Sequence, residues 1–169
     1  MIRRPAPRWV RGVVLSAAVA PALLVAACSA GPVTIDVPEG SDADAQACAA
    51  FLADLPATLG GEDPRDVEPA DAPGAAYGDP AYVVSCGVSV PAEYDDGFSS
   101  CEVVDKVGWY LPPEQLDDQA SDATLFTVGY RPVVKLVVPH DYRPDGAAQA
   151  LAELSGLVDE HLELVANCT

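Results

Sequence analysis

The chain has 169 residues, which suits one domain with short appendages rather than two large domains. Its 26 Asp and Glu against 9 Lys and Arg give a net charge of −17, which excludes the clustered cations that nucleic-acid phosphates require. Half of the residues are apolar and the mean hydropathy is +0.16, so the chain as a whole is not compositionally disordered.

Arg3, Arg4, Arg8 and Arg11 precede every acidic residue, the first of which is Asp36. Residues 12–27 then carry no charged side chain. A basic segment, an apolar run and small residues form the layout of an export signal. The run is shorter than the roughly 20 residues of a spanning helix, and Pro21 interrupts it. It ends in Val25-Ala26-Ala27-Cys28, which resembles the bacterial lipobox. That resemblance implies a diacylglyceryl thioether on Cys28, cleavage before it, and acylation of the new amino terminus. The alternatives are ordinary cleavage near Ala27 or Ala30, or an uncleaved anchor. The expected division is a signal peptide over 1–27, a lipidated tether over 28–40 and one exported domain over 41–169. Loss of the four arginines leaves five basic side chains against 26 acidic ones, a side-chain charge of −21.

Four cysteines remain: Cys48, Cys86, Cys101 and Cys168. An even number in an exported chain reads as two disulfides with three possible connectivities. No C-x-x-C occurs, and His140 and His161 stand at no ligand spacing with a cysteine, so no metal is expected. Cys48 lies on an apolar stripe with Phe51, Leu52, Leu55 and Leu59. Cys168 extends a stripe of Leu151, Leu154, Val158, His161 and Val165. Cys86 and Cys101 lie at facing ends of two strand-like runs. The expected pairs are therefore Cys48–Cys168 and Cys86–Cys101.

In the exported part, Ser41 or Asp42 can cap a helix reaching about Leu59, which Pro56 ends or kinks early. Gly60-Gly61 is a stop signal. Residues 60–80 are rich in Pro and acids and read as a solvated irregular loop. Residues 82–88 form a β-run. Residues 101–104 and 107–111 are strand-like, joined by Asp105-Lys106 at hairpin length, or else form one bulged strand. Residues 112–122 read as a polar loop. Residues 124–130 and 133–138 are the strongest strands, joined around Arg131-Pro132; Phe126, Val128 and Tyr130 are expected to share one face, as are Val134, Leu136 and Val138. A last helix runs from Gly146 to about Val165. The expected class is α+β: a small antiparallel sheet of four to five strands with N- and C-terminal helices packed on one face.

Six segments in order carry a family resemblance: Leu52-Ala53-Asp54-Leu55-Pro56, Tyr77-Gly78-Asp79-Pro80, Cys86-Gly87-Val88, Val107-Gly108-Trp109, Phe126-Thr127-Val128-Gly129-Tyr130-Arg131-Pro132 and Val137-Val138-Pro139. Together, over roughly residues 45–165, they resemble the actinobacterial family catalogued as domain of unknown function 3515. Tyr77 stands where that family commonly has Trp, and Ser85 where a basic residue commonly precedes Cys-Gly. The resemblance implies an exported, often lipidated, actinobacterial protein. It implies no catalytic residue.

The catalytic inventory is thin. There is no G-x-S-x-G elbow. His140 adjoins Asp141, but adjacent side chains of an extended chain point apart. His161 lies on an apolar helical stripe. Asp95-Asp96-Gly97 and Asp117-Asp118 offer hard oxygens for calcium without EF-hand spacing, and solvated loops are the expectation. Trp109, Tyr110, Tyr130 and Arg131 are the candidate contact patch, with core packing of Trp109 as the alternative. The function expected is a membrane-anchored lipoprotein on the outer face of the cytoplasmic membrane. It would be a non-enzymatic binding or accessory module that meets an envelope protein or ligand, with no cofactor. The alternative is an extracytoplasmic hydrolase using paired carboxylates.

Overall fold

The computed structural model describes residues 31–36, 42–94, 101–143 and 145–168. Cys28, the apolar run 12–27, Ser41 and Asp95-Asp96-Gly97 lie outside the described residues.

The fold is α+β, built on a seven-stranded sheet in which every neighbouring pair is antiparallel. Its strands are β2 (Pro64–Arg65), β4 (Gly74–Tyr77), β5 (Tyr82–Val88), β6 (Glu102–Val104), β7 (Val107–Tyr110), β8 (Ala123–Val128) and β10 (Val133–Val138). Across the sheet the order is β2-β4-β5-β10-β8-β7-β6. Two short ladders flank it. β1 (Val33–Thr34) runs parallel to β3 (Val67–Glu68), and β9 (Tyr130–Arg131) pairs antiparallel with β11 (Glu163–Leu164). The helices are α1 (Asp42–Ala53), α2 (Pro113–Asp117) and α3 (Asp145–His161), with a 3-10 turn at His140–Tyr142.

Strand alternation builds the main core. Tyr82, Val84 and Cys86 of β5, and Val134, Leu136 and Val138 of β10, are all fully buried. The register sets Leu136 between Val84 and Leu125, and Val134 beside Cys86. Phe51 of α1 and Leu151, Leu154 and Val158 of α3 join the same cluster. Positions 151, 154 and 158 recur at helical spacing, so one stripe of α3 is buried. Each such leucine contributes about 1.5–3 kcal/mol of burial. A second cluster occupies the opposite face: Tyr110, Phe126, Val128 and Val133, with Val90, Tyr94, Cys101 and Cys168 packed against it.

Several expectations are corrected. The sheet has seven strands, not four to five, and α2 is an additional helix inside the segment read as a polar loop. Residues 60–80 are not an irregular loop, since they supply β2, β3 and β4. β4 has the weak strand sequence Gly-Ala-Ala-Tyr, but pairing with β5 along four residues overrides local propensity. Part of the expected tether is docked: β1 pairs with β3, and Ile35 is buried. α1 stops at Ala53, three residues before Pro56, as proline's bias against a preceding helix requires. α3 stops at His161 rather than near Val165, because residues 163–164 are taken into the ladder with β9. The Asp105-Lys106 hairpin forms as expected: both residues have positive φ, 45° and 76°, and Val104 faces Val107.

The disulfides pair differently from the expectation. Cys48 joins Cys86, with Cα atoms 5.5 Å apart, and Cys101 joins Cys168, with Cα atoms 6.1 Å apart. Cys86 shares the parity of Tyr82 and Val84, so it faces α1 and meets Cys48 there. Cys168 does not extend the α3 stripe. The chain leaves the helix at His161 and crosses to the opposite face, where Cys168 packs over Gly108. A Cβ at Gly108 would lie 2.7 Å from the Cys168 Cβ, so only glycine leaves room for that crossing.

Candidate functional site

The four residues of the expected contact patch do not share one surface. On β7, Trp109 points to the helices and Tyr110 to the opposite face. Trp109 is buried, and its indole Nε1–H donates to Ser155 Oγ at 3.0 Å. Ser155 Oγ in turn donates to the Leu151 carbonyl at 2.7 Å. Tyr110 is buried with its ring 4.9 Å from that of Tyr94. Gly129, at φ +78°, breaks the alternation after β8, so Tyr130 does not share a face with Phe126 and Val128. Tyr130 turns to the helix side, where its hydroxyl donates to Asp159 at 3.0 Å. Burial, and then that hydrogen bond, push its pKa up. Arg131 alone of the four is exposed.

A cleft is built where that break occurs. Residues 163–168 cross the opposite face as a strap. The Gly129 carbonyl accepts from the amides of Val165 at 2.7 Å and Ala166 at 3.2 Å. Cys101–Cys168 fixes the far end of the strap. Between strap and sheet lies a cavity of about 500 Å³. Val90, Val128, Val133 and Val165 give it apolar walls, Asn167 a polar one, and Arg131 its only charge among the described residues. A smaller recess of about 150 Å³ continues past Arg131 towards Gly87, Ser89 and Asp44.

A second, mostly apolar groove of about 270 Å³ runs between Leu116 of α2, Leu125 of β8 and Leu151 of α3. Arg143 at its end is spent on structure. Its guanidinium donates to the carbonyls of Gln115, Asp118 and Ser121, each at 2.7 Å. Those three bonds fasten α2 and the turn behind it to the start of α3.

The acid–base groups have structural partners. The 3-10 turn brings His140 between two carboxylates: Nδ1 is 3.0 Å from Asp122 Oδ1, and Nε2 is 3.5 Å from Asp141 Oδ2. His140 and Asp141 are thus not held apart as an extended chain would hold them. The Asp122 hydrogen bond raises the His140 pKa, and the same bond lowers that of Asp122. His161 Nε2 lies 3.0 Å from Asp54 Oδ2, at ion-pair distance without hydrogen-bond geometry. Neither histidine has a Ser, Thr or Cys partner among the described residues. Asp118 is occupied within its own turn, accepting from the Ala120 amide at 3.0 Å and from the Ser121 hydroxyl. No group of three His, Cys, Asp or Glu among the described residues is arranged to hold a metal ion. No helix among the described residues is long and apolar enough to cross a membrane.

Sequence reasoning missed the strap and the cleft. An isolated glycine inside Phe-Thr-Val-Gly-Tyr-Arg was the available signal, since such a glycine marks a bulge or a close backbone approach. Nothing local marks Val165 or Asn167 as cleft residues, because their position depends on a pairing distant in sequence, with Glu163 opposite Arg131 and Leu164 opposite Tyr130.

The structure therefore defines a disulfide-bonded α+β domain whose helix-covered sheet carries an Arg-bearing cleft on its other face. The chain belongs to the family described as Protein of unknown function (DUF3515), whose profile matches residues 10–166. Neither a curated protein nor a solved structure matches it.

Proposed function

We propose that the protein is an exported actinobacterial lipoprotein, anchored through Cys28 to the outer face of the cytoplasmic membrane. There it acts as a non-enzymatic binding or accessory module of the cell envelope. The lipobox-like Val25-Ala26-Ala27-Cys28 motivates the anchor. The two disulfides are consistent with an oxidising compartment. Two or more acyl chains give stable attachment at about 0.8 kcal/mol per buried CH₂.

The observation that carries the binding role is the chemistry of the cleft beneath the strap. It offers apolar walls and Arg131 and, among the described residues, no carboxylate. A carboxylate-pair hydrolase would need two acids facing each other across such a cleft, at about 5–10 Å. The binding reading is therefore preferred over the hydrolase.

Two experiments test the proposal. Cys28→Ala is expected to move the protein from the membrane fraction to the medium; retention at uncleaved precursor mass would overturn the lipoprotein assignment. Crosslinking in native membranes followed by mass spectrometry is expected to recover a reproducible envelope partner. Recovery of none would count against the accessory role.

A further inference from the structure

Of the five basic side chains after residue 30, three have partners within the chain. Arg65 pairs with Asp79 and donates to the carbonyls of Gly78 and Gly31. Lys106 lies 3.7 Å from Asp159. Arg143 holds three carbonyls. Arg131 and Lys135 have no ion pair or side-chain hydrogen bond among the described residues, and Arg131 is the one that lines the cleft. Glu163 stands opposite Arg131 in the β9–β11 register, yet no ion pair joins them. In a chain with 26 acids, a guanidinium that lines a cleft and has no partner among the described residues is available to a ligand.

The rest of the lining limits what that ligand is. Guanidinium groups match carboxylates with two parallel hydrogen bonds. Four valines give the cavity walls that favour an apolar body, and about 500 Å³ falls within the range of small-molecule sites. The excess of negative charge repels polyanions while one local cation still accommodates a single negative charge. We infer that the cleft between the strap and the sheet binds a small amphiphile bearing one carboxylate, with Arg131 on the carboxylate and Val90, Val128, Val133 and Val165 around its apolar part. This assignment rests on the binding-module reading and names the chemistry of its site.

The test uses the full chain, uniformly ¹⁵N-labelled, with both disulfides formed. The probes are N-acetyl-leucine and its neutral amide. N-acetyl-leucine is expected to give saturable amide shifts at Gly129, Arg131, Val165, Ala166 and Asn167, with millimolar affinity. The neutral amide and the Arg131→Gln variant are each expected to bind about tenfold more weakly, the loss of one charge-assisted pair. Arg131 is exposed, so the variant's spectrum away from the cleft should match the parent's. No saturable shift at these residues up to about 20 mM, far above a millimolar dissociation constant, overturns the assignment. So does equal binding of acid and amide, or unchanged binding by Arg131→Gln. A reproducible membrane partner captured by the parent and by Arg131→Gln alike, with no probe binding at the cleft of the parent protein, would sink this assignment while leaving the accessory role standing.

Discussion

Gly129 and Ala166 approach so closely that a Cβ on residue 129 would overlap the Ala166 carbonyl oxygen. The same glycine has φ +78° and accepts both strap amides. A side chain there meets two penalties, a left-handed backbone costing roughly 1–2 kcal/mol and a clash that pushes the strap away. Gly129→Ala is expected to destabilise the domain by at least about 2 kcal/mol in urea unfolding. It should also increase amide exchange at Val165 and Ala166. A change within about 0.5 kcal/mol, the range of an ordinary surface substitution, would show that the strap does not depend on this contact.

The two disulfides differ in access. Cys48 and Cys86 are 2% and 0% exposed, whereas Cys101 and Cys168 are only partly buried. Limited reductant is expected to open Cys101–Cys168 first, with non-reducing peptide maps still showing Cys48 joined to Cys86. Loops of 38 and 67 residues give each bridge about 4 kcal/mol on the chain-entropy account. Recovery of a Cys48–Cys168 peptide would contradict the pairing described above.

Ser155 matters through Trp109. Ser155→Ala removes the acceptor of a buried indole N–H. After alanine's small gain in helix propensity, the expected cost is about 1–2 kcal/mol. Chemical denaturation of the variant measures it. A neutral effect would mean that water replaces the hydroxyl.

His140 and Asp122 set a pH window. His140 has its pKa raised above 6.5, so its contribution is complete below 6.5 and is lost as pH rises through the raised folded value. Asp122 has its pKa lowered below 3.8, so its contribution is present above 3.8 and is lost as pH falls through the lowered value. The pair is thus intact between the two folded values. The His140 ring protons are expected to titrate in NMR with a midpoint above 6.5, and Asp122→Asn should bring that midpoint down. A midpoint at or below 6.5 in the parent would refute the coupling.

Strands 82–88 and 133–138 were legible because alternating apolar residues leave only one parity for the core, and Asp105-Lys106 announces a two-residue turn. Gly74-Ala75-Ala76-Tyr77 was not legible, because small residues acquire strand geometry only from a neighbour such as β5. The parity of Cys86 with Val84 was readable and pointed to α1. Extending the α3 stripe past His161 to Cys168 concealed that pairing. Of the site, Arg131 was visible as a cation beside an aromatic residue. The cleft was not, since one wall comes from residues 163–168, which no local pattern brings to the sheet.

Val33 and Thr34 lie along Val67 and Glu68, and the Arg65 guanidinium holds the Gly31 carbonyl at 2.6 Å. Only five peptide steps separate Cys28 from Val33. Even fully stretched they span roughly 18 Å. If Cys28 carries the lipid proposed above, the domain would have no long leash. Its β1–β3 edge would stay within that distance of the headgroups, and a partner would have to come to the bilayer surface to meet it. Lengthening the chain by a flexible insert between Cys28 and Gly31 would then alter which envelope layer the domain can touch without altering its fold.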